Sequence, residues 1–297
     1  MSINMEFLNN LDDYIRGKRY RLVNSVLVYQ NDEIIFERYY NKYDENSYHK
    51  LWCIGKSIAG LTLGICLDKE LIKNIDEPIY KYIPQFDGSK QPYHKLITIR
   101  HLLNSATGIY YTNGTNHHHP MAVQMRGMSK DEQLNHIADV KMAALPGIKF
   151  NYGMWEVFLL SEVILRACGM NERDITAEYL FKPLEIKYTK DKDGDYHISA
   201  RDLAKIGLLM LHGGVWNGQQ IVSKEYVKAA VSPSDAKNGN EYGYLWWLDD
   251  KAYKAVGYGG NMMYVRPVEN AVMVILATGT PGFKVYYDIY DNTFRNS

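Results

Sequence analysis

Cys53 and Lys56 head the run Leu51-Trp52-Cys53-Ile54-Gly55-Lys56-Ser57-Ile58-Ala59-Gly60. Residues three apart share one face of a helix, one turn apart. The start of a helix offers unpaired backbone N–H groups and the positive end of the dipole, both of which favour an anion. A free thiol ionises near pKa 8.5, and a neighbouring cation with a helix N-terminus brings that to roughly 3.5–7.5. Cys53 thus has the setting of an activated nucleophile, with Lys56 as its cation. The same four residues also describe a buried cysteine that serves as a small hydrophobe.

The element that must position this pair is the stretch directly after it. Leu61-Thr62-Leu63-Gly64-Ile65-Cys66-Leu67-Asp68-Lys69 is apolar and free of proline. Gly55, Ala59, Gly60 and Gly64 alternate with Ile and Leu on all sides, which predicts a buried helix with close neighbours. A lysine there costs several kcal/mol unless a partner or a task holds it.

Around that helix the pattern is discontinuous. Glu6 to Lys18 reads as an amphipathic helix; Val23–Tyr29 and Glu33–Tyr40 read as strands joined by the hairpin Gln30-Asn31-Asp32. Thr98 caps a helix beginning at Ile99, and Trp155 to Cys168 forms another, ended by Gly169. Ser199 caps a helix through Leu211, and Trp216-Asn217-Gly218-Gln219 is a tight turn. Tyr242–Leu248, Tyr253–Tyr258, Met262–Arg266 and Ala271–Ala277 read as strands, with a helix after Pro281. Strands at both ends and helices between predict an α+β fold: one antiparallel sheet from both termini, flanked by helices, with an inserted helical lobe. The expected domains are 1–50 with 195–297 for the sheet, and 51–194 for the helical part.

Composition narrows the partners. The 297 residues carry 34 basic and 34 acidic groups with no basic block, which argues against nucleic acid and against a membrane surface. Cys53, Cys66 and Cys168 give no disulfide framework and suit a reducing compartment, so a cytoplasmic protein is expected. His117-His118-His119 are adjacent and cannot easily converge on one metal, so they read as a solvated loop. No metal and no cofactor is called for.

Three further places carry a resemblance: Tyr152-Gly153-Met154 after a proline-glycine turn, Ala255-Val256-Gly257 in a strand, and Gly257-Tyr258-Gly259-Gly260-Asn261 beyond it. With Cys53-Ile54-Gly55-Lys56, their order resembles the serine β-lactamase and penicillin-binding-protein superfamily, in its class C-like branch of esterases, peptidases and amide hydrolases. That family carries Ser-x-x-Lys, then Tyr-x-Asn, then a Lys/His-Thr-Gly-like strand. The stretches 71–78, 99–109, 199–207 and 242–247 look like its intervening segments, and the likeness runs from about residue 22 to 279.

The resemblance implies a nucleophile at Cys53 in place of serine, Lys56 and Tyr152 as its catalytic partners, and an oxyanion hole from the backbone N–H groups of Cys53 and Tyr258. Met154, Ala255, Val256 and Gly257 fall at substrate-binding positions. Met154 replaces an asparagine, and Ala255 a cation that binds a substrate carboxylate, which argues against antibiotic hydrolysis. The implied chemistry is hydrolysis or acyl transfer on a small ester, thioester or amide through a Cys53 acyl-enzyme. Two alternatives stay open: a noncatalytic ligand-binding protein of the same fold, and an engineered Ser-to-Cys variant of a serine hydrolase. The partner expected is a small acyl substrate.

Overall fold

A computed structural model describes residues 3–111, 124–239, 241–280 and 284–294. The contacts divide the chain into two compact units: 1–57, 181–224 and 249–297 form the first, and 58–180 with 225–248 the second. The division falls inside the helix Ile54–Asp68. Residues 181–194 cluster with the sheet and 225–248 with the helices, a partition the expected boundaries at 51 and 195 did not make. His117-His118-His119 lie outside the described residues.

In the first unit, β1 (Val23–Gln30), β2 (Glu33–Tyr39), β3 (Tyr253–Gly257), β4 (Asn261–Arg266) and β5 (Ala271–Ala277) build an antiparallel sheet in the order β2-β1-β5-β4-β3. Both termini therefore supply one sheet, as the pattern predicts. Asn31 and Asp32 close the first hairpin with φ of +51° and +66°, a conformation these short polar side chains tolerate.

Every residue of β5 is buried, which is why it reads as an unbroken apolar run rather than an alternation. Its two faces are covered separately. Val26, Val28, Met262, Tyr264, Met273 and Ile275 pack with Leu8, Leu11, Ile15, Ile289 and Phe294 from the terminal helices. On the other face lies the helix Ala200–Leu211, capped by Ser199, whose Oγ accepts the Asp202 N–H at 3.1 Å. A Cβ on its Gly207 would stand 2.6 Å from Val272 Cγ1 and 3.1 Å from Met263 Sδ, so glycine lets helix and sheet touch. Burying each large apolar side chain is worth about 1.5–3 kcal/mol. The expected helix over 6–18 is instead two, Met5–Asn9 and Leu11–Gly17, because Asn10 leaves the helical region at ψ 11°.

The second unit is mainly helical. Gly60 and Gly64 of the helix Ile54–Asp68 meet close neighbours here, as expected, whereas Gly55 faces open space. A Cβ on Gly64 would enter the Tyr226 ring, and one on Gly60 would lie 3.1 Å from the Tyr244 carbonyl. The buried Tyr226 hydroxyl donates to the Gly60 carbonyl at 2.5 Å. The helix Trp155–Cys168 ends at Gly169 in the left-handed conformation, φ +68°. Of the expected strand Tyr242–Leu248, only Trp247–Leu248 is extended. Gly243 N–H bonds back to the Trp246 carbonyl and Leu245 takes φ +64°, so the aromatic run is a tight turn.

The buried ion pair at the end of β4 makes the first unit's stability testable. Arg266 grips Glu269 with two hydrogen bonds of 2.8 and 2.6 Å, and both side chains are nearly inaccessible. Arg266 also donates to the Tyr290 hydroxyl at 2.6 Å. Arg266 holds the Glu269 carboxyl below its ordinary value of 4.5, against the upward push of burial. Arg266→Met strands a buried carboxylate and should lower unfolding stability by about 3–5 kcal/mol, read from urea midpoints at neutral pH. Glu269's contribution is present above pH 4.5 and lost on acidification, whereas the stranded carboxyl is relieved by protonation. The gap between wild type and variant should therefore narrow as pH falls through that region.

Candidate active site

Cys53 sits immediately before the first residue of the helix Ile54–Asp68, half-buried, rather than inside its first turn. The turn is tight: Ile54, Gly55 and Lys56 N–H groups bond to the Leu51, Trp52 and Cys53 carbonyls at 3.0–3.1 Å. Trp52, just ahead of Cys53, holds φ +52°, a left-handed conformation that costs an ordinary residue about 1–2 kcal/mol. Lys56 follows one turn after Cys53 and is likewise half-buried.

The strand entering this turn is pinned. His49–Lys50 pairs with Tyr196–Ile198, and Leu51 N–H continues the pairing to the Tyr196 carbonyl at 3.3 Å. Lys50 Nζ lies 2.6 Å from Asp191 and 2.9 Å from Asp195, and 4.7 Å from the centre of the Trp52 ring. Burial pulls the Lys50 ammonium down, but the two carboxylates outweigh it and hold it above its ordinary value. Hydrogen bonding from Lys50 holds Asp191 well below the usual carboxylate range. The Asp191 carboxylate also accepts the backbone N–H groups of Asp193 and Asp195, which fixes the loop that carries it. Sequence reasoning missed this cluster, because nothing local signals a partner 141 residues away.

The same unit brings the far end of β3 against the turn. Gly257 is so close to Leu51 that a Cβ would stand 2.6 Å from the Leu51 carbonyl oxygen and 3.3 Å from Ile54 Cγ1. The rings of Trp52 and Tyr258 meet at 5.3 Å between centroids. Beyond Tyr258, Gly259 and Gly260 take φ of +84° and +94°. Asn261 braces that turn, donating to the Tyr258 carbonyl at 2.6 Å while its Oδ1 accepts the Ala277 N–H at 3.0 Å. The segments expected to supply the two oxyanion N–H groups, at Cys53 and Tyr258, are thus in direct contact.

The three residues expected to bind substrate on β3 do not share a face. Ala255 is fully buried opposite Met263. Val256 packs on the core beneath the terminal helices, on the other side of the strand from Gly257. Strand alternation sends the Val256 side chain away from the turn and leaves its backbone there.

Tyr152 and Met154 belong to the second unit. Asn151 anchors their stretch: its N–H bonds to the Ser105 carbonyl at 2.8 Å and its Nδ2 to the Tyr111 carbonyl at 3.1 Å. The Tyr152 ring lies 5.2 Å from Trp247 and 6.1 Å from Tyr242, beside Phe150 at 4.9 Å from Tyr242. Met154 is 49% exposed and, with Tyr111, Met125, Trp155 and Phe158, lines a small apolar cavity of about 40 Å³.

Two consequences are measurable. Gly257→Ala must part strand and turn and should cost roughly 1–3 kcal/mol, by analogy with overpacking. Gly55→Ala, whose Cβ meets nothing within 4 Å, should be neutral or stabilising by up to about 1 kcal/mol in the same urea titration. Next to the turn, His49 is pushed down from 6.5 to about 4 by burial and then by His197. A depressed histidine contributes stability above pH 6.5 that is lost as pH falls towards 4, at about 1.4 kcal/mol per pH unit. His49→Phe, which keeps a ring against Tyr43, should remove that component when wild type and variant are compared across the window.

Comparison with known proteins agrees with this architecture. The chain is 24% identical to an uncharacterized protein of Alkalihalophilus pseudofirmus, covering 97% of this chain and 96% of that one. It is 22% identical to a 6-aminohexanoate-dimer hydrolase of Paenarthrobacter ureafaciens, over 85% of this chain and 71% of the relative. Among solved structures it resembles EstCE1, a hydrolase with promiscuous acyltransferase activity, with a TM-score of 0.80, 13% identity and 98% of both chains covered. The family model described as Beta-lactamase matches residues 11–196, well over half of the sequence, and the chain therefore belongs to the beta-lactamase family.

Proposed function

We propose that this protein is a hydrolase or acyltransferase acting on a small ester, thioester or amide through an acyl-enzyme on Cys53. The observation that carries the reading is the contact between the Leu51–Ile54 turn and the Gly257–Tyr258 strand end. It supports a pair of backbone donors at Cys53 and Tyr258, and backbone donors survive side-chain change. Each such donor is worth about 2.7–4 kcal/mol in related chemistry. The names of two similar proteins, a 6-aminohexanoate-dimer hydrolase and a hydrolase with promiscuous acyltransferase activity, support hydrolysis or acyl transfer as the reaction.

In this mechanism Cys53 Sγ, as thiolate beside the Lys56 ammonium, attacks the carbonyl carbon. The carbonyl π electrons move to oxygen, where the two N–H groups hold the charge. Collapse restores the carbonyl and breaks the bond to the alcohol, thiol or amine, which leaves with a proton from a general acid, the role that the resemblance gives to the Tyr152 hydroxyl. Water or an acceptor then attacks the thioester, returns a proton to the Tyr152 oxygen and releases the Cys53 thiolate. A ligand-binding protein without chemistry is the competing reading, favoured by Met154 and by the inward-facing Val256.

Iodoacetamide labelling with peptide mapping separates the two. At neutral pH Cys53 should label faster than Cys66, which has no solvent exposure. Lys56→Met keeps the volume and removes the cation; it should slow Cys53 labelling about tenfold, the equivalent of about 1.4 kcal/mol. Tyr152→Phe should leave labelling intact but slow turnover of an activated phenyl ester by about 10²-fold, the lower end for a general acid. Labelling indifferent to Lys56, with no acylated Cys53 by intact mass, would hand the lead to the binding protein.

A further inference from the structure

Two of the three thiols, those at Cys66 and Cys168, meet in the second unit, and the proposed mechanism uses neither. Cys66 lies near the end of the helix Ile54–Asp68, its carbonyl accepting the Leu71 N–H at 2.9 Å. Cys168 is the last residue of the helix Trp155–Cys168, where Gly169 turns the chain away. These helix ends, 102 residues apart, set the Cys168 thiol 3.8 Å from Cys66 Sγ as a donor. One turn before Cys66, the Thr62 hydroxyl is 2.6 Å from that of Thr176, on the short helix following Cys168. That contact keeps the two sulfurs in register. Cys66 is wholly buried and Cys168 only partly, so an incoming reagent reaches Cys168 first.

We propose that Cys66 and Cys168 form a redox-active dithiol that closes to an intramolecular disulfide by exchange with a low-molecular-weight disulfide. Sulfur–sulfur bonds are about 2.0 Å long, so closure requires the two thiols, 3.8 Å apart, to move together. With oxidised glutathione, Cys168 as thiolate attacks one sulfur, forms a mixed disulfide and expels one glutathione thiolate. Cys66 gives up its proton and attacks Cys168 Sγ; that bond forms as the bond to the second glutathione breaks, and the latter leaves as its thiol. Two protein thiols are oxidised and one glutathione disulfide is reduced to two thiols. The crosslink closes a loop of about 100 residues, in the range where chain-entropy arguments give the larger stabilisations.

The test uses full-length protein carrying Cys53→Ser, so that only this pair can react. Reduced protein is incubated with excess oxidised glutathione and followed by intact mass, non-reducing peptide mapping and thermal unfolding. Both thiols should disappear with loss of two hydrogens in mass, one crosslinked peptide pair should join Cys66 to Cys168, and Tm should rise by several degrees, reversibly with dithiothreitol. Cys66→Ala should halt at the glutathione adduct of Cys168. Accumulation of that adduct with Cys66 present and still reduced, or a pair that stays reduced throughout, would overturn the proposal. Neither result bears on the acyl-enzyme reading, which is tested at Cys53.

Discussion

A backbone carbonyl occupies the space where residue 257 would carry a side chain. The Leu51 oxygen and the α-carbon of Gly257 are packed so closely that even a methyl group could not come between them. Much of the first unit follows from holding that contact. The turn before the helix Ile54–Asp68 comes from the first quarter of the chain, and β3 from the last. They meet because β1 pairs with β5, β5 with β4 and β4 with β3, and because residues near both termini cover one face of that sheet. A sheet assembled from both ends of the chain is thus what allows two backbone segments some 200 residues apart to touch.

Charge then fixes what packing has brought together. Lys50 binds two carboxylates on the 191–195 loop and faces the Trp52 ring, and that ring meets Tyr258. An ammonium over an aromatic face, itself tied down by anions, resists rotation of Trp52 more than either contact alone. Trp52 can remain left-handed ahead of Cys53 because its ring is held on both counts. On the second unit, Tyr152 is set differently, by an aromatic cluster with Tyr242, Trp247 and Phe150 and by the hydrogen bonds of Asn151.

Backbone donors and side-chain donors age differently within a family. An N–H at Cys53 or Tyr258 persists whatever side chain stands there, so long as the glycine at 257 keeps the segments close. The side-chain positions at Met154 and Ala255 offer no polar group, and Val256 faces the core.

Much of the architecture was legible in the sequence. The strand periods, the Ser199 cap, the Gly169 stop and the small-residue face of the helix after Cys53 depend on neighbours within four residues, and all appear where the local pattern puts them. The break at Asn10 and the turn at Tyr242–Trp246 escaped because apolar periodicity continued through them while backbone hydrogen bonds chose otherwise. The sequence and its resemblance named Cys53, Lys56, Tyr152 and Gly257 as candidates, but revealed neither which way Val256 faces, nor Lys50 with Asp191 and Asp195, nor Cys66 against Cys168. Those pairings join residues more than a hundred positions apart. Only the register of the sheet and the packing of helix ends bring them within reach, and neither is written in any local stretch of chain.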